Sequence, residues 1–145
     1  MSEASTFRLG RHVVFNLHVH LVFITKYRRG VITERVRGEL EQSFRRVCAD
    51  FESQLIEFDG QDDHVHLLVS YPPKVSLSRL VNSLKGVSAR HIRTMNFPEV
   101  RGKLWGTAFW SPSYCAVSCG GAPLEIIKRY IQDQRKPASG GLTPP

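Results

Sequence analysis

Apolar and polar positions alternate near the start of the chain. Val13, Phe15, Leu17, Val19, Leu21 and Phe23 are separated by residues such as Asn16, His18 and His20. A period of two sends successive side chains to opposite faces of a strand, which predicts a first strand over about 12–26. The period then lengthens. Val36, Leu40, Phe44, Val47 and Phe51 recur at helical spacing behind Thr33, a candidate N-cap, so a helix is expected over about 34–51. A second strand near 53–59 precedes the turn-forming Asp59-Gly60, and a third runs from His64 to Tyr71, where Pro72-Pro73 stops it. Ser76 then caps a second helix with Leu77, Leu80, Val81, Leu84, Val87 and Ile92 on one face, and Arg79, Lys85, Arg90 and Arg93 on the other. A fourth strand fits within 107–118, with Pro112 breaking it or confining it to an edge. After Gly120-Gly121, Pro123 suits the first turn of a last helix over about 123–136.

The order β-α-β-β-α-β with an added helix is that of an α+β, ferredoxin-like (split βαβ) fold. Its antiparallel sheet places the first and third strands side by side in the centre. One domain over 11–136 is expected, with 1–10 and the Pro/Gly-rich 137–145 as flexible ends. The chain of 145 residues has room for one core, and 41% hydrophobic residues supply it. No apolar run reaches the roughly 20 residues of a membrane span, no signal peptide is visible, and three Cys are too few for a disulfide scaffold. The expectation is a soluble cytoplasmic protein with no membrane partner. Cys115, Cys119 and Cys48 read as packing or incidental thiols.

Charge narrows the class of partner. The net charge is +7, but it is uneven: residues 1–63 hold 9 basic and 10 acidic side chains, and residues 64–145 hold 11 and 3. A basic surface suits a phosphate-rich partner, because each neutralised phosphate releases counterions. A general solubility charge would look the same.

The chemistry centres on Asp62-Asp63-His64-Val65-His66. On a strand, His64 and His66 project to one face while Val65, Leu67 and Val69 take the other. Two neutral imidazoles so placed can chelate one divalent metal, or be half-buried polar groups that bind nothing. His18-Val19-His20 repeats the spacing on the first strand, and spacing alone does not separate the pairs. In the expected sheet, His18 and His20 could line the same site. On the last helix, Tyr130 and Gln134 stand four residues apart on one face. A tyrosine can attack a phosphodiester and hold it covalently. Gln134 could add an oxygen ligand, or the helix could simply pack Tyr130 and solvate Gln134.

Taken together, these residues resemble the HUH endonuclease superfamily, named for its His–hydrophobic–His pair, and most closely the TnpA-type single-tyrosine transposases of bacterial insertion sequences. Further matches are His20-Leu21-Val22 with Thr25-Lys26-Tyr27-Arg28-Arg29, Leu84-Lys85-Gly86 with Ser88-Ala89-Arg90, and Leu104-Trp105. The resemblance implies that His64, His66 and Gln134 hold Mg²⁺ or Mn²⁺ and that Tyr130 is the nucleophile. It would cleave single-stranded DNA, keep a 5′-phosphotyrosine link and pass it to another 3′-hydroxyl, with no nucleotide cofactor. The resemblance also implies hairpin-bearing DNA at transposon ends as substrate, and a homodimer in which Gly120-Gly121 lets the tyrosine helix move. Asp63 is expected in the turn or supporting a histidine.

Hairpin and single-strand binding needs cations and aromatic platforms. The cationic candidates are Lys26, Arg28, Arg29, Lys85, Arg90, Arg93, Arg101 and Lys103. Trp105, Phe109 and Trp110 are aromatic candidates, with core or dimer packing favoured for the two tryptophans. Other functions fit parts of the pattern. They are a related HUH nickase or domesticated repeat-associated tyrosine transposase, a non-catalytic ferredoxin-like RNA-binding module, and a zinc protein using His64, His66, Cys115 and Cys119.

Overall fold

The computed structural model describes residues 7–104, 106 and 108–118. Its main sheet has four strands: β3 (His18–Ile24), β4 (Gln54–Gly60), β5 (His64–Ser70) and β6 (Cys115–Ser118), in the order β4-β5-β3-β6. Every pairing is antiparallel. This is the expected ferredoxin-like order, with β3 and β5 central. A two-stranded ribbon, β1 (Arg8–Leu9) with β2 (Val14–Phe15), stands apart. The single strand expected over 12–26 is thus broken at Asn16-Leu17. The Leu17 carbonyl accepts from the Tyr71 amide at 3.1 Å, which carries the β3–β5 register one pair beyond His18 and Ser70. Arg8, expected in a loose end, anchors the ribbon by donating to the Ser70 hydroxyl and the Glu52 carbonyl.

Helices α1 (Glu34–Asp50) and α2 (Leu77–Met95) start where their caps predict. The Thr33 and Ser76 hydroxyls accept from the amides of Val36 and Arg79, satisfying donors that the first turn leaves orphaned. Asn96, in the left-handed region, ends α2. A short α3 (Pro98–Leu104) follows that hydrophobic periodicity does not announce. It is held from outside: Glu99 accepts from Thr33 and from both faces of the Arg35 fork.

The core lies between the helices and one face of the sheet. Val19, Leu21 and Phe23 of β3 and Val65, Leu67 and Val69 of β5 are buried there against Val36, Leu40, Phe44 and Val47 of α1 and Leu80, Leu84 and Ile92 of α2. Trp110 packs edge-on to Phe23 and alongside Phe44, and its indole N–H donates to the Ser88 hydroxyl. The register between β4 and β5 shifts between Leu55 and Glu57. This bulge lets Leu55 and Phe58, an odd three residues apart, both meet the core. The last helix, expected over 123–136, lies outside the described residues.

Candidate functional site

The opposite face of the sheet is where β3 and β5 bring the histidines together. Ile24 pairs with His64, Val22 with His66, and His20 with Leu68, so His18, His20, His64 and His66 share this face. Val22 and Ile24 form a small apolar cluster beside them, with Cys115 and Val117 of β6 packed against it. The His64 and His66 rings lie edge-to-face with centroids 5.1 Å apart.

A short chain of polar contacts fixes the orientation of His64. Its Nδ1 is 2.8 Å from Asp63 Oδ1, and both side chains are buried. An ionised carboxylate can only accept, so Nδ1 carries the hydrogen and Nε2 keeps its lone pair. The other Asp63 oxygen accepts from the Arg28 guanidinium. The Asp63 backbone carbonyl accepts from the Thr25 amide at 3.0 Å. The loop after β3 and the turn before β5 are therefore tied together at the residue that orients His64. Burial and then the neighbouring His64 push the His66 pKa down, against an upward pull from Asp59 that exceeds the further downward push of His20. His66 is thereby favoured as the neutral imidazole a metal needs. Burial and then Arg8 push His18 down as well.

Two imidazoles, one with its second nitrogen bound to a carboxylate, are a donor set suited to a divalent cation. Among the described residues, no group of three His, Cys, Asp or Glu side chains could hold a metal ion. A third ligand would have to be of another type or come from elsewhere in the chain. Gln134 and Tyr130 lie outside the described residues, as do Trp105 and Cys119. Cys115 sits on the histidine face at β6, opposite Val22.

The cationic candidates fall into different situations. Arg90 and Arg93 are exposed on α2. Lys85 is not a free surface cation: its ammonium donates to the Ser111 and Ser113 carbonyls at 2.7 and 3.1 Å, and burial pushes its pKa down to about 8. Arg101 donates to Asn96, and Lys103 to the Gly30 carbonyl. Lys26, Arg28 and Arg29 surround Tyr27, a residue that is 65% exposed. Arg93 and Arg101 line a separate cavity of about 670 Å³ between α2 and α3, which none of the sheet histidines reaches. Phe109 and Trp110 are core residues. Sequence reasoning missed the Arg28–Asp63 pair, whose partners are 35 positions apart and carry no local signal.

A four-stranded split βαβ sheet, with helices on one face and the His-x-His pair on the other, defines a small α+β protein of the ferredoxin-like class. Solved structures match the fold, among them these two. One is a crystal structure of a Deinococcus radiodurans R1 protein described as a transposase, with a TM-score of 0.76, 32% identity, and coverage of 88% of this chain and 97% of that one. The other is a REP-associated tyrosine transposase bound to a REP hairpin, with a TM-score of 0.52, 10% identity, and coverage of 87% and 68%.

Residues 13–134 match the family model described as "Transposase IS200 like", and the chain belongs to that family. It is 35% identical over 125 residues to the ISDra2 transposase TnpA of Deinococcus radiodurans, covering 86% of this chain and 89% of the relative. It is 30% identical over 123 residues to the transposase for insertion sequence element IS200 of Salmonella typhimurium, covering 85% and 80%. Among the described residues, no helix is long and apolar enough to cross a membrane.

Proposed function

We propose that this protein cuts and rejoins single-stranded DNA at the ends of an insertion sequence, using Tyr130 as nucleophile. The observation that carries the reading is the buried Asp63–His64 contact beside His66, in a chain of the IS200-like transposase family. His64 and His66, with Gln134, would hold Mg²⁺ or Mn²⁺. Such a cation withdraws charge from a scissile phosphate and stabilises the charge that builds up on it.

The chain's own residues do the rest. The Tyr130 oxygen bonds to phosphorus as the bond from phosphorus to the 3′ oxygen breaks. The phenol's proton is lost, and the departing oxygen gains one to become a 3′-hydroxyl. The link to tyrosine conserves the energy of the broken phosphodiester, so a second 3′-hydroxyl can reverse the step without a nucleotide cofactor. Asp63 keeps His64 in one tautomer and one ring orientation throughout. The basic side chains hold the phosphates of a hairpin-bearing strand, and two copies of the chain act as a homodimer.

The test is a 3′-labelled hairpin oligonucleotide drawn from the sequence flanking the gene, incubated with the full chain and Mg²⁺ or Mn²⁺ and run on a denaturing gel. A covalent protein–DNA band is expected, absent with EDTA and absent in Tyr130→Phe. No band on any flanking hairpin, together with tight RNA binding, overturns the reading in favour of a non-catalytic module.

A further inference from the structure

The loop after β3 has a feature that the cleavage chemistry does not use. Tyr27 and Arg28 both have positive φ, 58° and 53°. Two consecutive non-glycine residues in the left-handed region are costly, and such strain persists only where the surroundings over-determine it. Here they do. The Thr25 hydroxyl donates to the Arg29 carbonyl at 2.8 Å, the Lys26 amide to the Phe109 carbonyl at 2.9 Å, and the Arg28 guanidinium is fixed on Asp63. The effect is to hold the Tyr27 ring out in solvent.

An exposed ring contributes little to the core, and glycine or asparagine would fit the backbone with less strain. The ring forms one wall of a cleft of about 440 Å³ completed by Arg28, Arg29, Gly30, Gly102 and Lys103. Lys26 and Arg29 place their charges 5.2 and 5.8 Å from the ring centroid. Two carboxylates lie nearby. Asp63 is already held by Arg28 and His64, and Asp62 stands against Gly30, where a Cβ would meet its Oδ2 at 2.6 Å. The surroundings of the ring keep an excess of positive charge.

We propose that Tyr27 is a stacking platform for one unpaired nucleobase of the DNA strand, and that Lys26, Arg29 and Lys103 hold the phosphates on either side of that base. An exposed π-face with cations over it, each on a flexible stem that can swing from the ring to a flanking phosphate as a base stacks, suits unpaired nucleic acid; a duplex, with its bases stacked inside, cannot use it. The platform is also tied to the histidine face. Residue 28 reaches His64 through Asp63, so a base seated on residue 27 sets where the strand enters relative to the candidate metal pair. The assignment rests on the reading of single-stranded DNA as substrate.

The test is fluorescence anisotropy with the full chain and a fluorescein-labelled 20-nucleotide DNA strand, across a series of KCl concentrations. Tyr27→Ala should weaken binding by on the order of tenfold to a hundredfold, the range for losing one stacked base. Tyr27→Phe and Tyr27→Trp should stay within about twofold of wild type, because each keeps a stacking face. Tyr27→Gly relaxes the backbone, so it should melt no lower than wild type yet bind as weakly as Tyr27→Ala. The slope of log Kd against log[KCl] should be unchanged in Tyr27→Ala and fall by roughly one in Arg29→Ala.

Scanning an abasic nucleotide along the strand should find one position whose base matters to wild type and not to Tyr27→Ala. Wild-type affinity in Tyr27→Ala and Tyr27→Gly, with the covalent adduct of Tyr130 still forming, overturns the platform alone. A wild-type chain that neither binds the strand nor forms the adduct overturns the transposase reading and the platform with it.

Discussion

Removing the Asp63 carboxylate should weaken folding and metal binding separately, and the two effects can be measured apart. In Asp63→Ala, the His64 Nδ1–H and the Arg28 guanidinium both lose their acceptor. A buried donor left unmade costs about 1–3 kcal/mol. An ion fully buried without its partner costs about 3–5 kcal/mol. The Arg28 side chain is 26% exposed and can turn to water, so its share lies well below that range. About 2–3 kcal/mol of lost stability is expected, read as a shift of the urea midpoint without a change in slope.

Asp63→Asn keeps the volume and can keep an oxygen on Nδ1, but its amide nitrogen faces or abandons Arg28. Half the loss, about 1–2 kcal/mol, is expected there. Metal binding is the second readout. Loosening the group that orients a ligating histidine typically costs 10- to 100-fold in affinity, or about 1.4–2.7 kcal/mol. Manganese suits the measurement because free Mn²⁺ gives an EPR signal that bound Mn²⁺ does not. If Asp63→Ala takes up Mn²⁺ with wild-type affinity, the carboxylate does not hold His64 for a metal. If it also unfolds at the wild-type urea concentration, the buried network contributes nothing to the fold.

Two further outcomes follow from buried titratable groups. Lys85 has its pKa pushed down to about 8 from 10.5, so the folded chain binds fewer protons than the unfolded one between those values. Wild type should therefore gain stability relative to Lys85→Met as pH rises from about 8 to 10.5, and parallel unfolding curves across that window would count against a desolvated ammonium. Burial pushes the Cys48 thiol up to about 12, leaving roughly one part in ten thousand as thiolate at pH 8; peptide mapping after iodoacetamide should find Cys48 labelled in urea and unlabelled in the native chain.

Much of this structure can be read locally. The Thr33 and Ser76 caps, the alternation of β5 and the central pairing of β3 with β5 each rest on a pattern a few residues long, and strand order then follows from element order. The histidine face was legible for the same reason: one alternating strand assigns a side to every residue on it. What escaped depends on distant partners. α3 is only seven residues and is fastened by Arg35 of α1 and by that helix's N-cap, Thr33. The bulge in β4 is visible only against the core that Leu55 and Phe58 must share. Lys85 reads as a surface cation by its helical position, yet the carbonyls that take it up are 26 and 28 residues away. The left-handed turn at Tyr27 has no glycine to mark it, so its sequence reads as an ordinary basic loop.

The two-sidedness of β5 bears on how such a gene decays. Val65, Leu67 and Val69 keep the chain folded from one side of the strand, while His66 stands on the other, away from the helices. A substitution of His66 removes a candidate ligand without opening a cavity in the core. Copies that have lost their chemistry in this way would remain folded and escape the proteases that clear misfolded chains. An inactive lineage would then persist in the cell as intact protein long after it had stopped moving.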